Sequence, residues 1–177
     1  MKKQKNRKLT EEQRKELTQE ILNYPPSLKI RGFEEVINKK HPNIETILPT
    51  RGSQTSAGYD FYSKENVTIE PKQKHIFWSD VKAYMMKDEV LEIYVRSSIG
   101  IKKGLVLANS VGIIDSDYYD NVDNEGVIGI CLRNESDSSQ EIKLDERIAQ
   151  GIFKKYLVAD NITETQIRSG GIGSTNK

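Results

Sequence analysis

From Leu28 onward, apolar and polar residues alternate in short runs: LKIRGF, NVTIE, KHIFW, VLEIYV, GLVLAN, VIGICL, EIKL and the longer RIAQGIF. A period of two places successive side chains on opposite faces of a strand, so each run reads as a β-strand with one buried face. Gly, Asn, Asp, Ser and Pro clusters separate the runs at short intervals, without the helical segments that parallel crossovers need. The expected class is all-β, as a barrel or jelly roll. The stretch NESDSSQE, residues 134–141, reads as a loop without evident chemistry, and no repeat period is present.

Before Leu28 the period changes. Thr10 followed three residues later by Gln13 has the form of a capping box, and Leu17, Ile21 and Tyr24 recur at helical spacing until Pro25 and Pro26 end the pattern. One short amphipathic helix is expected, preceded by the basic residues Lys2, Lys3, Lys5, Arg7 and Lys8. Its narrow apolar stripe fits docking on the main domain, a contact with a partner, or a mobile arm.

A chain of 177 residues builds one well-cored domain with a short appendage. With 27 basic and 26 acidic residues the net charge is +1, so no global field draws the protein to nucleic acid or to a membrane surface. Any anion must be met by a local site. Cys131 is the single cysteine and His41 and His75 are the two histidines, which excludes a disulfide framework and leaves too few soft ligands for zinc. Cys131 is expected as a reduced core residue. No apolar run follows the charged start or approaches the length of a membrane span, so a soluble, cytoplasmic protein is expected.

Five segments carry candidate chemistry. In NSVGIIDSDYYD, residues 109–120, Asp115 follows Val111, Ile113 and Ile114, the position of a carboxylate at the end of a buried strand. Such a group can orient or deprotonate water, and Tyr118 and Tyr119 offer a flat ring beside it. An acidic turn with structural tyrosines fits equally well. In VRSSIG, residues 95–100, Arg96, Ser97 and Ser98 leave a strand together, either to grip a phosphate or as a serine-capped turn. DERIAQG, residues 145–151, carries Arg147 and Gln150 within a strand, and SAGYDFYS, residues 56–63, places Asp60 behind a turn at Gly58. The terminal RSGGIGSTNK, residues 168–177, has the composition of a frayed end first, and also suits an anion through Arg168, its glycine amides, Ser174 and Thr175. No Walker or Rossmann glycine pattern is present.

The order of these segments, SAGYDFYS, VRSSIG, NSVGIIDSDYYD, ERIAQ and RSGGIGST, resembles the five motifs of the trimeric dUTP pyrophosphatases. The likeness covers roughly residues 28–175. KIRGF, AGYDF, KAYM, RSS and KKGLVLANSVGIIDSDYY are similar to the form found in Gram-positive bacteria and their phages. The resemblance implies a jelly-roll (β-clip) domain over 28–167 and a C-terminal arm over 168–177 that closes a site shared between subunits of a homotrimer; the basic tail and helical extension over 1–27 have no counterpart in the shared motifs. It assigns Asp115 to water activation, Tyr118 to the deoxyribose, and Asn109 with the backbone of Gly112, Ile113, Ile114 and Gly129 to uracil. Cytosine presents the opposite donor and acceptor pattern, a mismatch worth about 10⁴-fold or more in similar sites. Arg96, Ser97, Ser98 and Gln150 are implied phosphate binders, and Arg168, Gly171, Ile172, Gly173, Ser174 and Thr175 the closing arm. Mg²⁺ is implied as cofactor on the substrate phosphates, without direct protein ligands and with Asp60 in its outer shell.

Two positions depart from the family pattern. Ile172 stands where an aromatic residue normally covers uracil, and YDNVDNEG after Tyr118 is longer than the usual YxG turn. The expected activity is hydrolysis of dUTP to dUMP and pyrophosphate. The competing readings are the related dCTP deaminase and a phage-type regulatory protein that binds a repressor through Asn121 to Glu125 or through the N-terminal helix.

Overall fold

The computed structural model describes residues 29–161. The expected helix around Thr10 to Tyr24 and the arm residues Arg168, Gly171, Ile172, Gly173, Ser174 and Thr175 lie outside them. Twelve strands make up the described fold: β1 (Gly32–Glu35), β2 (Thr50–Arg51), β3 (Tyr59–Tyr62), β4 (Val67–Ile69), β5 (Lys74–Trp78), β6 (Val81–Tyr84), β7 (Glu89–Val95), β8 (Leu105–Leu107), β9 (Gly112–Asp115), β10 (Gly129–Asn134), β11 (Gln140–Ile142) and β12 (Arg147–Lys155). All pairings are antiparallel. A five-stranded sheet runs β2-β3-β12-β7-β9, a three-stranded sheet runs β5-β10-β8, and two ribbons pair β1 with β6 and β11 with β4. This is the all-β, jelly-roll-like architecture that the alternating pattern predicts.

Alternation explains most of the core. On β10, Ile130 and Leu132 turn inward and are buried, while Gly129 and Cys131 face the other way. Phe61, Phe77, Leu91, Ile128 and Ile148 join the same core. Each such side chain, fully buried, contributes about 1.5–3 kcal/mol of transfer free energy. On β12 the neighbours Ile148 and Ala149 are both buried, because the pairing with β3 slips between Arg147 and Ala149 and a bulge turns both inward.

The structure corrects several sequence expectations. Asp60, read as a turn residue behind Gly58, lies within a strand: Tyr59–Tyr62 is β3, anchored by Phe61 in the core, and Asp60 is buried within it. β9 is an edge strand rather than a buried one, and Ile113 is 55% exposed. Asn134 is buried at the end of β10 and donates to the Ile69 and Ser138 carbonyls (both 2.8 Å), so the loop read over 134–141 begins after it. Lys64, polar by any sequence measure, is 1% exposed. Its ammonium donates to the Glu45 carbonyl, and burial pushes its pKa below the usual lysine range.

Candidate active site

Asn109, Gly112, Ile113, Ile114, Asp115, Tyr118 and Gly129 line one cavity of about 450 Å³. β9 forms one wall. It pairs with β7 so that Gly112 lies opposite Ile93 and Asp115 opposite Val90, which fixes Asp115 at the strand's end with its carboxylate half-buried at the cavity. A single turn of 3-10 helix, Ser116–Tyr118, then folds Tyr118 back toward the pocket. Tyr118 is only 6% exposed, and its hydroxyl donates to the Val127 carbonyl at 3.0 Å. The ring therefore meets the cavity while its polar end is held in the protein.

The opposite wall comes from β10 and β5. Gly129 pairs with Trp78 and Cys131 with Ile76, and the Ala108 amide donates to the Cys131 carbonyl at 2.9 Å. Cys131 lines the cavity, where the sequence reading placed it in the core, because it shares a face with Gly129 and not with Ile130. Burial pushes its thiol pKa up, against the opposing charge of Lys74. Ile76 and Cys131 are lining residues that the motifs did not single out. The signal was present only as the alternation of KHIFW and GICL, which shows a face but not what it faces.

A second group forms at the other end of the five-stranded sheet. Asp60 on β3 lies opposite Gln150 on β12, which lies opposite Tyr94 on β7. Arg96 follows the last residue of β7 and pairs with the Asp60 carboxylate, to which Arg147 Nη1 also donates at 3.2 Å. Gln150 packs against Gly58 so closely that a Cβ there would lie 2.5 Å from the amide oxygen. Ser97 and Ser98 are exposed at the start of the π-helical turn Ser98–Lys102, whose Ile99 and Gly100 amides donate to the Arg96 carbonyl at 3.0 and 2.9 Å. Donors and a buried carboxylate thus converge on one surface.

The two groups are separate within one chain. Asp115 faces Val90, and Arg96 lies six residues farther along β7, roughly 20 Å away at about 3.3 Å per residue. Gly112, opposite Ile93, lies nearer to Arg96 than Asp115 does. None of Arg96, Ser97, Ser98 or Gln150 lines the cavity.

The sequence profile of the dUTPase family matches residues 45–176. The chain belongs to the dUTPase family. The deoxyuridine 5'-triphosphate nucleotidohydrolase of Lactococcus lactis is 47% identical over 150 residues, covering 84% of this chain and 99% of its own. The crystal structure of the Streptococcus mutans dUTPase, 41% identical, superimposes with a TM-score of 0.67 over 73% of this chain and 99% of its own. A point variant of the dUTPase from Staphylococcus aureus phage phi11, 19% identical, shares the fold with a TM-score of 0.60 over 78% of this chain and 99% of its own. That protein coordinates a structural Mg(II) ion. The Lactococcus and Streptococcus relatives agree with a Gram-positive type of the family.

Among the described residues no group of three or more His, Cys, Asp or Glu is placed to hold a metal ion, and no helix is long and apolar enough to cross a membrane.

Proposed function

We propose that this chain hydrolyses dUTP to dUMP and pyrophosphate, with Asp115 as the base that activates the attacking water. The observation that carries this reading is the placement of Asp115 and Tyr118 on one cavity with the amide-rich wall of Gly112 to Ile114 and Gly129. Uracil enters between the β9 and β10 backbones, where amide N–H and carbonyl groups and the Asn109 side chain read its edge. The deoxyribose packs on the Tyr118 ring, whose tethered hydroxyl leaves an apolar face. A ribose 2'-OH there finds bulk and no partner.

The α-phosphate then lies toward Asp115. The carboxylate accepts a proton from water as its oxygen bonds to the α-phosphorus, and the bond to the oxygen bridging the β-phosphorus breaks to release pyrophosphate. A positioned base of this kind contributes about 10²- to 10⁴-fold. Charge must also be neutralised on three linked phosphates. Arg96, Ser97, Ser98 and Gln150 supply that surface, and their separation from Asp115 supports donation from a neighbouring chain of a homotrimer, with Arg168, Gly171, Ile172, Gly173, Ser174 and Thr175 of the arm closing the site.

The chain's residues fit Mg²⁺ held mainly by substrate. Magnesium takes oxygen ligands and keeps several waters, so substrate phosphates would be its main anchors, and Asp60, paired with Arg96 and Arg147, would act only from its outer shell. When bound it neutralises phosphate charge and orients the chain of phosphates. A cytoplasmic setting suits an enzyme of the nucleotide pool. Asn121, Asn124 and Glu125 of the segment proposed for a protein partner are engaged in internal hydrogen bonds, and Val122 and Asp123 form its exposed surface.

The test is to incubate the protein with Mg²⁺ and dUTP, dCTP, dTTP or UTP and identify products. Pyrophosphate from dUTP alone is the expected result. Deamination of dCTP, or no turnover of any of the four, overturns the reading.

A further inference from the structure

The segment after Tyr118, longer than the family's usual turn, folds back onto that residue. Asn124 Nδ2 donates to the Tyr118 hydroxyl at 2.9 Å, and Asn121 Nδ2 donates to the Tyr118 carbonyl at 2.8 Å. The two asparagines also hold each other: Asn121 Nδ2 donates to Asn124 Oδ1 at 2.7 Å, and Asn121 Oδ1 accepts from the Asn124 amide at 3.2 Å. Gly126 donates its amide to Asn124 Oδ1 at 3.0 Å. It has φ +80°, and a Cβ there would stand 2.6 Å from the Tyr118 carbonyl oxygen. Only glycine lets the returning chain pass so close.

The loop's outer side is anchored to the β1–β6 ribbon. The Glu125 carboxylate accepts from the amides of Ile37 (2.8 Å) and Asn38 (3.0 Å) just beyond β1. Tyr119 donates to Glu34 at 2.5 Å, and Lys82 pairs with Asp120 while lying 4.9 Å from the centre of the Tyr119 ring. Tyr119 thus anchors the loop rather than facing the cavity.

From this arrangement we infer that Asn124, seated by Asn121, is a positioning residue for Tyr118, and that the lengthened loop sets how strictly the site separates 2'-deoxyribose from ribose. This rests on the proposed packing of the sugar on Tyr118. Excluding a hydroxyl by shape requires a wall that does not retreat, and a pocket that rejects an added hydroxyl without a hydrogen-bond mismatch reaches only about 10²-fold. The tyrosine hydroxyl is held from two sides, by Asn124 and by the Val127 carbonyl. Removing the Asn124 donor leaves the ring in place with its stiffness reduced.

The experiment compares wild type, Asn124→Ala, Tyr118→Phe and the double variant, measuring kcat/KM for dUTP and for UTP with Mg²⁺ alongside melting temperature. Asn124→Ala is expected to lower the dUTP/UTP ratio by about 10-fold, mainly by improving UTP. Tyr118→Phe keeps the ring, removes both bonds of its hydroxyl and gives a fall at least as large. In the dUTP/UTP ratio the double variant loses about as much as Tyr118→Phe alone, because the Asn124 bond is one of the two that this change already removes. An unchanged ratio in Tyr118→Phe, whatever the melting temperature, overturns the inference, as do fully additive losses. Should Asn124→Ala fail to fold, Asn124→Asp decides, since it removes the donor to Tyr118 and keeps the oxygen that accepts from Asn121 and Gly126. Absence of dUTP turnover in the wild type removes the proposed activity and this inference with it, whereas dUTP turnover with an unchanged ratio removes the inference only.

Discussion

The buried carboxylate of Asp60 pairs with the guanidinium of Arg96 across the width of β12. Asp60 sits mid-strand on β3, Arg96 just past the end of β7, and the sheet brings together residues 36 positions apart in sequence. The pair holds Arg96 in one direction before any phosphate arrives. Asp60→Asn keeps an acceptor but removes the charge, so Arg96 loses part of its restraint. A fall in kcat/KM for dUTP of about 10- to 100-fold is expected, between the effects of losing an exposed and a buried ion pair. Steady-state kinetics check it, and wild-type kinetics would remove Asp60 from this role.

Asp115→Asn is isosteric, so the cavity and its backbone walls persist. Nucleotide binding is expected to remain within a few-fold, with turnover lower by at least about 100-fold, as for loss of a general base. Calorimetric titration with a non-hydrolysable dUTP analogue and single-turnover kinetics separate the two effects. Near-normal turnover would exclude Asp115 as the base.

If the phosphate donors come from a neighbouring chain, two inactive variants should repair each other. Mixing Asp115→Asn with Arg96→Gln and allowing subunits to exchange creates sites that pair an intact Asp115 with an intact Arg96. Recovery of a substantial fraction of wild-type activity in the mixture is expected. No recovery, after mass analysis has confirmed mixed oligomers, would show that both residues serve from one chain.

Gly58→Ala probes how closely Gln150 is seated. The added Cβ would stand 2.5 Å from the Gln150 amide oxygen and 3.1 Å from its Cβ, so the glutamine must rotate. KM for dUTP is expected to rise several-fold with a stability loss of about 1–3 kcal/mol, the usual cost of overpacking. Urea melts and initial rates measure the two. A variant with unchanged KM would mean that Gln150 does not touch substrate.

Glu89 gives an acid-sensitive contribution to stability. Its nearly buried carboxylate accepts from Arg31 Nε (3.1 Å) and Nη2 (2.5 Å), and those bonds hold its pKa below the ordinary glutamate value. A lowered folded-state pKa means that the stabilisation is present above the unfolded value, near pH 4.3, and is lost as the pH falls through the lower folded value. Glu89→Gln should therefore cost of the order of 1 kcal/mol at pH 7 and flatten the fall in melting temperature below about pH 4.5. Melting curves between pH 3 and 7 test this, and parallel curves for the two proteins would count against it.

Much of the fold was legible because alternation is a local signal. KHIFW, VLEIYV and RIAQGIF each contain their own evidence of a strand, and β5, β7 and β12 occupy those stretches. β3 was misread because Gly58 and Asp60 look like turn residues, while the deciding contact of Phe61 with the core is made by distant strands. Lys64 shows the same limit: nothing near it in sequence announces that the Glu45 carbonyl receives its ammonium.

The candidate site divides along the same line. Residue types and their order in five segments sufficed to point to the dUTPase family, because those motifs are short and contiguous, and they singled out Asp115, Tyr118 and the arginine-serine cluster as candidates. Tertiary structure alone decided that Cys131 faces the cavity, that Asp60 orients Arg96, and that Arg96 lies roughly 20 Å from the Asp115 end of its own β7–β9 pair. It also decided that YDNVDNEG closes on Tyr118 and braces it against β1 and β6. The reason is physical: strand formation follows local side-chain periodicity, whereas the aim of a side chain depends on register, bulges and sheet order, which are set by pairings between residues far apart in the chain.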